Sequence, residues 1–518
     1  MSASSLPLID RFRSIAEAQP ETLAIADTNR QSSYQQLSRL AGQVAHYLLS
    51  RGVKKGDRVS LLVANSAEYA AIFYGIWAAG GVTVALNTQA KTRDIINWIN
   101  HSGAKWLFVD HRHTEFSSIA ENLSTGCEMI SVGESSSDQP THHSLPWQNI
   151  LQQPETLPDL NLSPADLASI IYTSGTTGHP KGVTLSHRNL SANTDSILQY
   201  LQLTHQDSVL NVLPFYYSYG NSVLHTHLAI GASLILENNL VYPQRVAERI
   251  ASEAVSGFSG VPSTFALLLG RVNLEEYDLS HLRYITQAGG AMAPALTDRL
   301  LTALPDTKIF IMYGQTEASA RLTYLPPEKI REKRGSIGIA IPDTVIEIRN
   351  RQGQQVKPGE HGEICAYGAN IMHGYWGDPD MTAQVLKDGW LYTGDLAHTD
   401  SDGYIYIDGR SSDMIKSGAN RISPKEIEEV IQELENVQEV AVVGSPDEIL
   451  GEIIKAYVVA KTDSDLDKKA IQRHCKINLA IYKIPKEIEF IDELPKTASG
   501  KIKKFLLQEQ GLQVNHAT

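Results

Sequence analysis

The stretch Tyr172-Thr173-Ser174-Gly175-Thr176-Thr177-Gly178-His179-Pro180-Lys181-Gly182 decides how the rest of this chain is read. It sets three threonines, a serine, glycines and one lysine directly after an apolar run at 167–172. Glycines let a backbone approach an anion and turn N–H groups toward it. The hydroxyls add side-chain donors, and Lys181 adds positive charge. Thr173, Ser174, Gly175, Thr176, Thr177, Gly178 and Lys181 are therefore candidate contacts to a polyphosphate. The common P-loop ends in Gly-Lys-Ser/Thr, whereas here Pro180 precedes the lysine and Gly182 follows it. That excludes the usual nucleotide-hydrolase pattern. A flexible Ser/Gly linker is the bland alternative. A linker seldom carries Pro-Lys-Gly bound so tightly between a strand candidate and a segment that leads into a helix.

On either side of this loop, amphipathic helices alternate with short Val/Ile/Leu runs. Helices are predicted at 38–49 and 67–79, and strands at 58–63, 82–86, 106–109, 209–213, 233–236, 284–287 and 308–312. That alternation predicts α/β layers with mostly parallel sheets. The span 69–90 carries no charge and is long enough for a bilayer. Gly80-Gly81 breaks it, however, and polar residues follow. Asn65 and Glu68 have capping-box spacing, so a buried helix, a turn and a strand are the better reading. Between 337 and 406 short strands with turn signals predict a smaller antiparallel region. The segment 134–146, rich in Ser, Gln, His and Pro, reads as a surface loop. Beyond 412 comes a small α+β unit, with a capping box at Ser423-Pro424-Lys425-Glu426 and proline at the first helical position. The expected fold is thus a large N-terminal domain, 1–411, of layered α/β sheets plus a small antiparallel region. A small α+β domain, 412–518, follows it.

Composition sets limits. At 518 residues the chain exceeds what one core covers. With 42% apolar residues it can bury a sizeable core and is too apolar for disorder. A net charge of −13 argues against non-specific nucleic-acid or anionic-lipid binding, so a polyphosphate site must be a local positive patch. The three cysteines, Cys127, Cys365 and Cys475, lack metal-ligand spacing and read as reduced thiols of a cytoplasmic protein. No signal peptide is visible at the N-terminus, and no membrane insertion is expected. His225 and His227 on an apolar stretch read as core or pocket lining rather than a zinc site, since no third ligand is near in sequence.

Three remote stretches share the flavour of the first. Ala288-Gly289-Gly290-Ala291, Tyr313-Gly314-Gln315-Thr316-Glu317 and Tyr392-Thr393-Gly394-Asp395 each follow a strand or sit at a turn. Singly each is an ordinary strand-ending turn. In this order and at these intervals, from Ser33-Tyr34-Gln35-Gln36-Leu37 to Lys501, the chain resembles the AMP-forming, acyl-adenylating superfamily. Its members are acyl-CoA synthetases, stand-alone adenylation enzymes and beetle luciferases.

The resemblance implies ATP-dependent activation of a carboxylic acid as acyl-AMP with release of pyrophosphate. Transfer to a thiol then gives a thioester and AMP. By the same resemblance, 173–181 surrounds the β- and γ-phosphates. Gly290 and Ala291 flank adenine and Tyr313 stacks on it; Gly314 and Gln315 are further candidate nucleotide contacts. Thr316 lies near the α-phosphate and Glu317 holds Mg²⁺. Asp395 accepts the ribose hydroxyls, and Arg410 lies beside them. Lys501 spans the carboxylate and α-phosphate during adenylation. The resemblance also implies a rotating small domain that brings Lys416-Ser417-Gly418 to face the site in the thiol step. The hinge position, usually Asp or Lys, is Ser412 here.

For the acid, Tyr217 matches a gate where many acyl-CoA synthetases have histidine. Asn221, Ser222, Ser259, Gly260, Val261, Gln287, Ala288 and Gly289 are the candidate pocket. No aspartate follows Tyr219-Gly220 to pair with an ammonium, which argues against a standard α-amino acid. Aliphatic or aromatic acids remain, as does an imino acid held differently. The thiol is coenzyme A or the phosphopantetheine of a separate carrier protein. A monomer or homodimer is expected. An ATP/AMP-binding module without ligase activity and a luciferase-like oxidase stay open as readings of another class.

Overall fold

The computed structural model describes residues 6–133, 144–173, 180–410, 413–417, 420–447, 451–462, 464–479, 481–496 and 502–508. The predicted surface loop at 134–146 lies mostly outside them; its end, Leu145–Pro146, is a short strand.

Two large sheets form the body. One is nine-stranded. Its middle is parallel, with Lys308–Tyr313, Tyr284–Gln287, Gly257–Gly260, Ser208–Asn211, Ser233–Leu236 and Leu23–Ala26 side by side. The other is eight-stranded. In it Val82–Ala85, Arg58–Leu62, Trp106–Asp110 and Glu128–Val132 run parallel, and one edge turns antiparallel. One core cluster contains buried residues of both sheets, such as Ile25 and Val209 from one and Val59 and Ala85 from the other. The helix Ala67–Ala78 belongs to it and is buried all round, with Tyr69, Phe73, Tyr74 and Trp77 at 1% exposure or less. This explains an uncharged run with no polar stripe: a helix packed on every side needs none. No described helix is long and apolar enough to cross a membrane.

The cap of that helix differs from expectation. Ser66, not Asn65, accepts from the Tyr69 N–H. Asn65 instead donates to Leu213 O at 2.8 Å and accepts from the Phe215 N–H at 2.8 Å. The residue read as a cap is a tie between the helix entry and the segment that carries Tyr217. The helix predicted from 38 starts at Tyr34, where Ser33 and Gln36 form a full capping box.

The antiparallel region is present as Thr344–Arg349, Gly362–Gly368, Trp390–Thr399 and Ile405–Arg410. After it, Val437–Asp447 and Gly451–Ala460 pair in the C-terminal sheet, with the helices Pro424–Gln432 and Lys468–Asn478. Ser423 precedes the first of these, with Pro424 at its first position. Its hydroxyl makes no cap, however, and donates to Asp408 O. Glu426, the other half of the expected box, pairs with Lys483 at 2.6 Å.

Candidate active site

The phosphate-loop candidate is held by a hairpin. Leu167–Thr173 pairs antiparallel with Lys181–Ser186, and Thr173 faces Lys181 in register. The segment after Lys181 is therefore a strand first and a helix, His187–Leu201, only afterwards. Both ends of the loop are fixed side by side. Ser174, Gly175, Thr176, Thr177 and Gly178 themselves lie outside the described residues.

A third strand, Gly374–Tyr375, pairs with Lys181–Ser186. Thr184 Oγ1 donates to Gly374 O at 2.7 Å, and the Trp376 N–H donates to Gly182 O at 2.7 Å. Tyr375 in turn donates its hydroxyl to Glu317 Oε1 at 2.8 Å. Burial first, then the Glu317 charge, pushes this phenol far above its ordinary range, so it remains a donor. Tyr375 thus joins the phosphate hairpin to the candidate metal ligand. Nothing in its Gly-Tyr-Trp-Gly surroundings signalled that in the sequence; only a pairing partner for the hairpin would have.

Glu317 sits just beyond the strand Lys308–Tyr313. A Cβ at Gly314 would come within 2.0 Å of Ala320 O, so glycine alone lets the chain fold back here. The turn continues as a short helical piece, Thr316–Ala318. Thr316 Oγ1 donates to Ser218 Oγ at 3.3 Å, at the start of the helix Ser218–Leu228. Tyr313 Oη donates to Asp395 Oδ2 at 2.6 Å. The structure therefore brings together the residues expected at adenine and at ribose, from two different sheets. Asp395 stands opposite Arg410 in the antiparallel ladder; the Arg410 side chain is outside the described set. Gln315 is half-buried beside them.

The adjacent strands end level, with Gly260 beside Gln287 and Gln287 beside Ile311. A crevice at the carboxyl ends of parallel strands is where open α/β sheets bind ligands. Gln287 is fully buried and donates from Nε2 to Gly290 O at 2.9 Å. That bond pins the turn Ala288-Gly289-Gly290-Ala291, where Gly289 takes φ +85°. Gly289, Gly290 and Ala291 are exposed, which leaves backbone free to lie against a flat ring.

Of the acid-pocket candidates, Asn221, Ser222 and Ser259 are buried, Gly260 is buried and Val261 half-buried. Ser259 and Tyr219 both bond Thr286 Oγ1, at 2.8 and 2.9 Å. Tyr217 precedes the helix Ser218–Leu228, its ring 4.5 Å from that of Tyr216, with Asn87 Nδ2 at 3.5 Å from its hydroxyl. His225 and His227 are buried core residues bonded to Tyr74 and Tyr284 at 3.0 Å each. Ser412, Gly418 and Lys501 lie outside the described residues, as does the Lys416 side chain.

Comparison with known proteins gives the family. A model described as AMP-binding enzyme matches residues 12–376, and one for the AMP-binding enzyme C-terminal domain matches 426–501. The chain is 32% identical to feruloyl-CoA synthase of an Amycolatopsis species, over 94% of this chain and 96% of the relative. It is also 32% identical to long-chain-fatty-acid–CoA ligase of Salmonella typhimurium, over 97% and 94%. The structure of the anthranilate CoA ligase AuaEII in complex with anthranoyl-AMP superimposes with a TM-score of 0.90 at 28% identity, covering 99% of both chains. The family match and these relatives together establish that the chain belongs to the AMP-binding enzyme family and is an AMP-forming acid–thiol ligase.

Proposed function

We propose that this enzyme makes an acyl-CoA from a carboxylic acid through an acyl-AMP intermediate. One observation supports this most: Tyr375 ties Glu317 to the hairpin, and Tyr313, four residues before Glu317, donates to Asp395, so two hydrogen-bonded pairs flank Thr316 beyond the strand Lys308–Tyr313. Such an arrangement suits attack at the α-phosphate, with the hairpin holding the two departing phosphates. The physical task is to bring two anions together, and it needs donors aimed at the charge that develops. Lys181 supplies charge beside the hairpin. The Thr316 hydroxyl, oriented by Ser218, stands where the carboxylate and α-phosphate would meet. Asp395 accepts from the ribose hydroxyls, and Tyr313 positions it.

Glu317 is the residue that would hold Mg²⁺. A carboxylate oxygen suits this hard cation, and the Tyr375 bond occupies only Oε1. When bound, the ion offsets phosphate charge. The division into 1–411 and 412–518 about Ser412 belongs to the same reading. Lys501 enters for adenylation and withdraws to admit the thiol, while the 416–418 loop then faces the site. The cytoplasmic assignment draws support from three free thiols, each pushed up by burial, Cys127 and Cys365 to about 12 and Cys475 to about 11.

An ATP–pyrophosphate exchange screen over aliphatic, aromatic and amino acids tests the first half-reaction; exchange with no acid would refute it. Mass analysis with coenzyme A and with a phosphopantetheinylated carrier tests the second. Thioester on coenzyme A is expected, and thioester on the carrier alone would favour a carrier-loading enzyme.

A further inference from the structure

Arg321 stands four residues beyond Glu317 and is only 3% exposed. Its guanidinium lies over the Tyr219 ring at 4.1 Å, and Nη1 donates to Ala320 O at 3.3 Å. The Tyr200 hydroxyl also faces it. Nε is buried without a partner, and among the described residues no carboxylate forms an ion pair with it. The other buried cations among the described residues are paired: Lys333 with Asp400 and Asp402, Lys455 with Glu487 and Glu489. A buried cation without an anion is costly unless something later supplies one.

Arg321 lines a small, partly open cavity of about 10 Å³, together with Ser222, Thr226, Ser259 and Thr286. That is room for a single oxygen-sized group. Its wall is largely apolar, and the hydroxyls of Ser222, Thr226, Ser259 and Thr286 already bond one another or the backbone, which leaves Arg321 Nε as a donor without a partner. The cavity is also in line with the reacting centre. Ser218 touches Thr316, and Ser222 and Thr226 follow one and two turns later on the same helix face. At the rise of an α-helix they lie roughly 6 and 12 Å further along. An acid whose carboxylate sits at Thr316 would extend its far end toward Arg321.

We infer that Arg321 is a specificity-determining residue at the far end of the acyl pocket, and that the preferred acid carries a distal oxygen acceptor which enters this cavity. This rests on the adenylation reading. A cation here also disfavours an acid bearing a distal ammonium. The shared chemistry is an oxygen that accepts from a guanidinium; a hydroxyl, a phenol or a second carboxylate would each provide it.

The test is ATP–pyrophosphate exchange by the full-length protein on matched acids. Benzoate is compared with 4-hydroxybenzoate and 4-carboxybenzoate, and octanoate with 8-hydroxyoctanoate and suberate. The oxygenated member of at least one series is expected to show kcat/KM at least about tenfold higher than its parent, since a site built to bond a polar group rejects the analogue lacking it. The arm that responds identifies a neutral or an anionic acceptor. Arg321→Met is expected to collapse that ratio toward unity or invert it, and Arg321→Lys to retain part of it. Parent acids preferred in every pair by the wild type, or an unchanged ratio in Arg321→Met, would overturn the inference. The wild-type arm decides even where a variant fails to fold. Exchange without preference removes this inference alone, whereas no exchange with any acid removes the adenylation reading as well.

Discussion

At the scale of the residue, the site depends on side chains that orient other side chains. Tyr375 donates to Glu317, and Tyr313 donates to Asp395. Each bond is made to a carboxylate, and charge-assisted bonds are worth about 1.5–3 kcal/mol. Tyr375→Phe keeps the buried ring and removes only the donor. It should lower kcat/KM for pyrophosphate exchange by about tenfold and raise the Mg²⁺ concentration for half-maximal rate, with a small change in thermal midpoint. Unchanged Mg²⁺ dependence would show that the hydroxyl does not position Glu317. Gly314 is a constraint of another kind. A methyl group there meets the backbone oxygen of Ala320 at 2.0 Å, and a backbone cannot give way as a flexible side chain can. Gly314→Ala is expected to destabilise by about 1–3 kcal/mol or more and to displace Thr316 and Glu317. Denaturant titration and exchange rate, measured on the same sample, would report both effects.

At the scale of the element, what was legible depended on whether a signal was local. The loop at 173–181 and the Gly-Gln-Thr-Glu turn stand in short, chemically dense stretches after strands that could be read from their apolar runs; Asp395 stands in such a stretch too, but inside the strand Trp390–Thr399 rather than after one. Tyr375 could not, because its meaning comes from a two-residue strand that adds to a hairpin about 190 positions earlier in the chain. Lys181–Ser186 carries no local strand signal for a related reason: its strand character is only completed by Leu167–Thr173 on one side and Gly374–Tyr375 on the other. The two capping boxes expected at Asn65 and Ser423 show the converse. Their spacing was right for a local cap, but a distant backbone claimed each side chain, Leu213 and Phe215 for one and Asp408 for the other. Arg321 carries no sequence signal, because only burial makes an arginine unusual. The Asn65 tie yields a test. Asn65→Ala strips two bonds from buried backbone groups, each loss costing about 1–3 kcal/mol. It should therefore lower stability by several kcal/mol and also raise KM for the acid, because the freed segment carries Tyr217. A stability loss with unchanged KM would separate the tie from the gate.

At the scale of the whole molecule, two further expectations follow, one from the core and one from the division of labour between domains. His187, His225 and His227 are buried, and burial lowers their pKa values to about 4, 3 and 4. In the unfolded chain they titrate near 6.5. Between those values the unfolded state binds more protons, so stability falls as pH drops from about 6.5 toward 4. At pH 5.5, one unit below the unfolded value, each histidine should cost roughly 1 kcal/mol. Thermal midpoints should therefore decline between pH 7.5 and 5.5, and replacing His227 should flatten that slope. The second expectation concerns motion. The helix Pro424–Gln432 is tied to the strand Ile405–Arg410: Ser423 donates to Asp408 O, and Lys425 Nζ donates to Ile407 O at 3.0 Å. Both bonds span the proposed hinge at Ser412, so rotation there has to break them, and they favour one pose. Lys496 and Ile502 pair across an antiparallel bridge, whereas the residues proposed to face the nucleotide all precede the proposed hinge. If Lys501 acts only in the adenylating pose, Lys501→Ala should slow acyl-AMP formation far more than thioester formation from supplied acyl-AMP. Lys425→Met should instead shift the balance of the two half-reactions without abolishing either. Single-turnover measurement of each half-reaction decides the matter, because equal loss in both from Lys501→Ala is what a lysine fixed in one place would give.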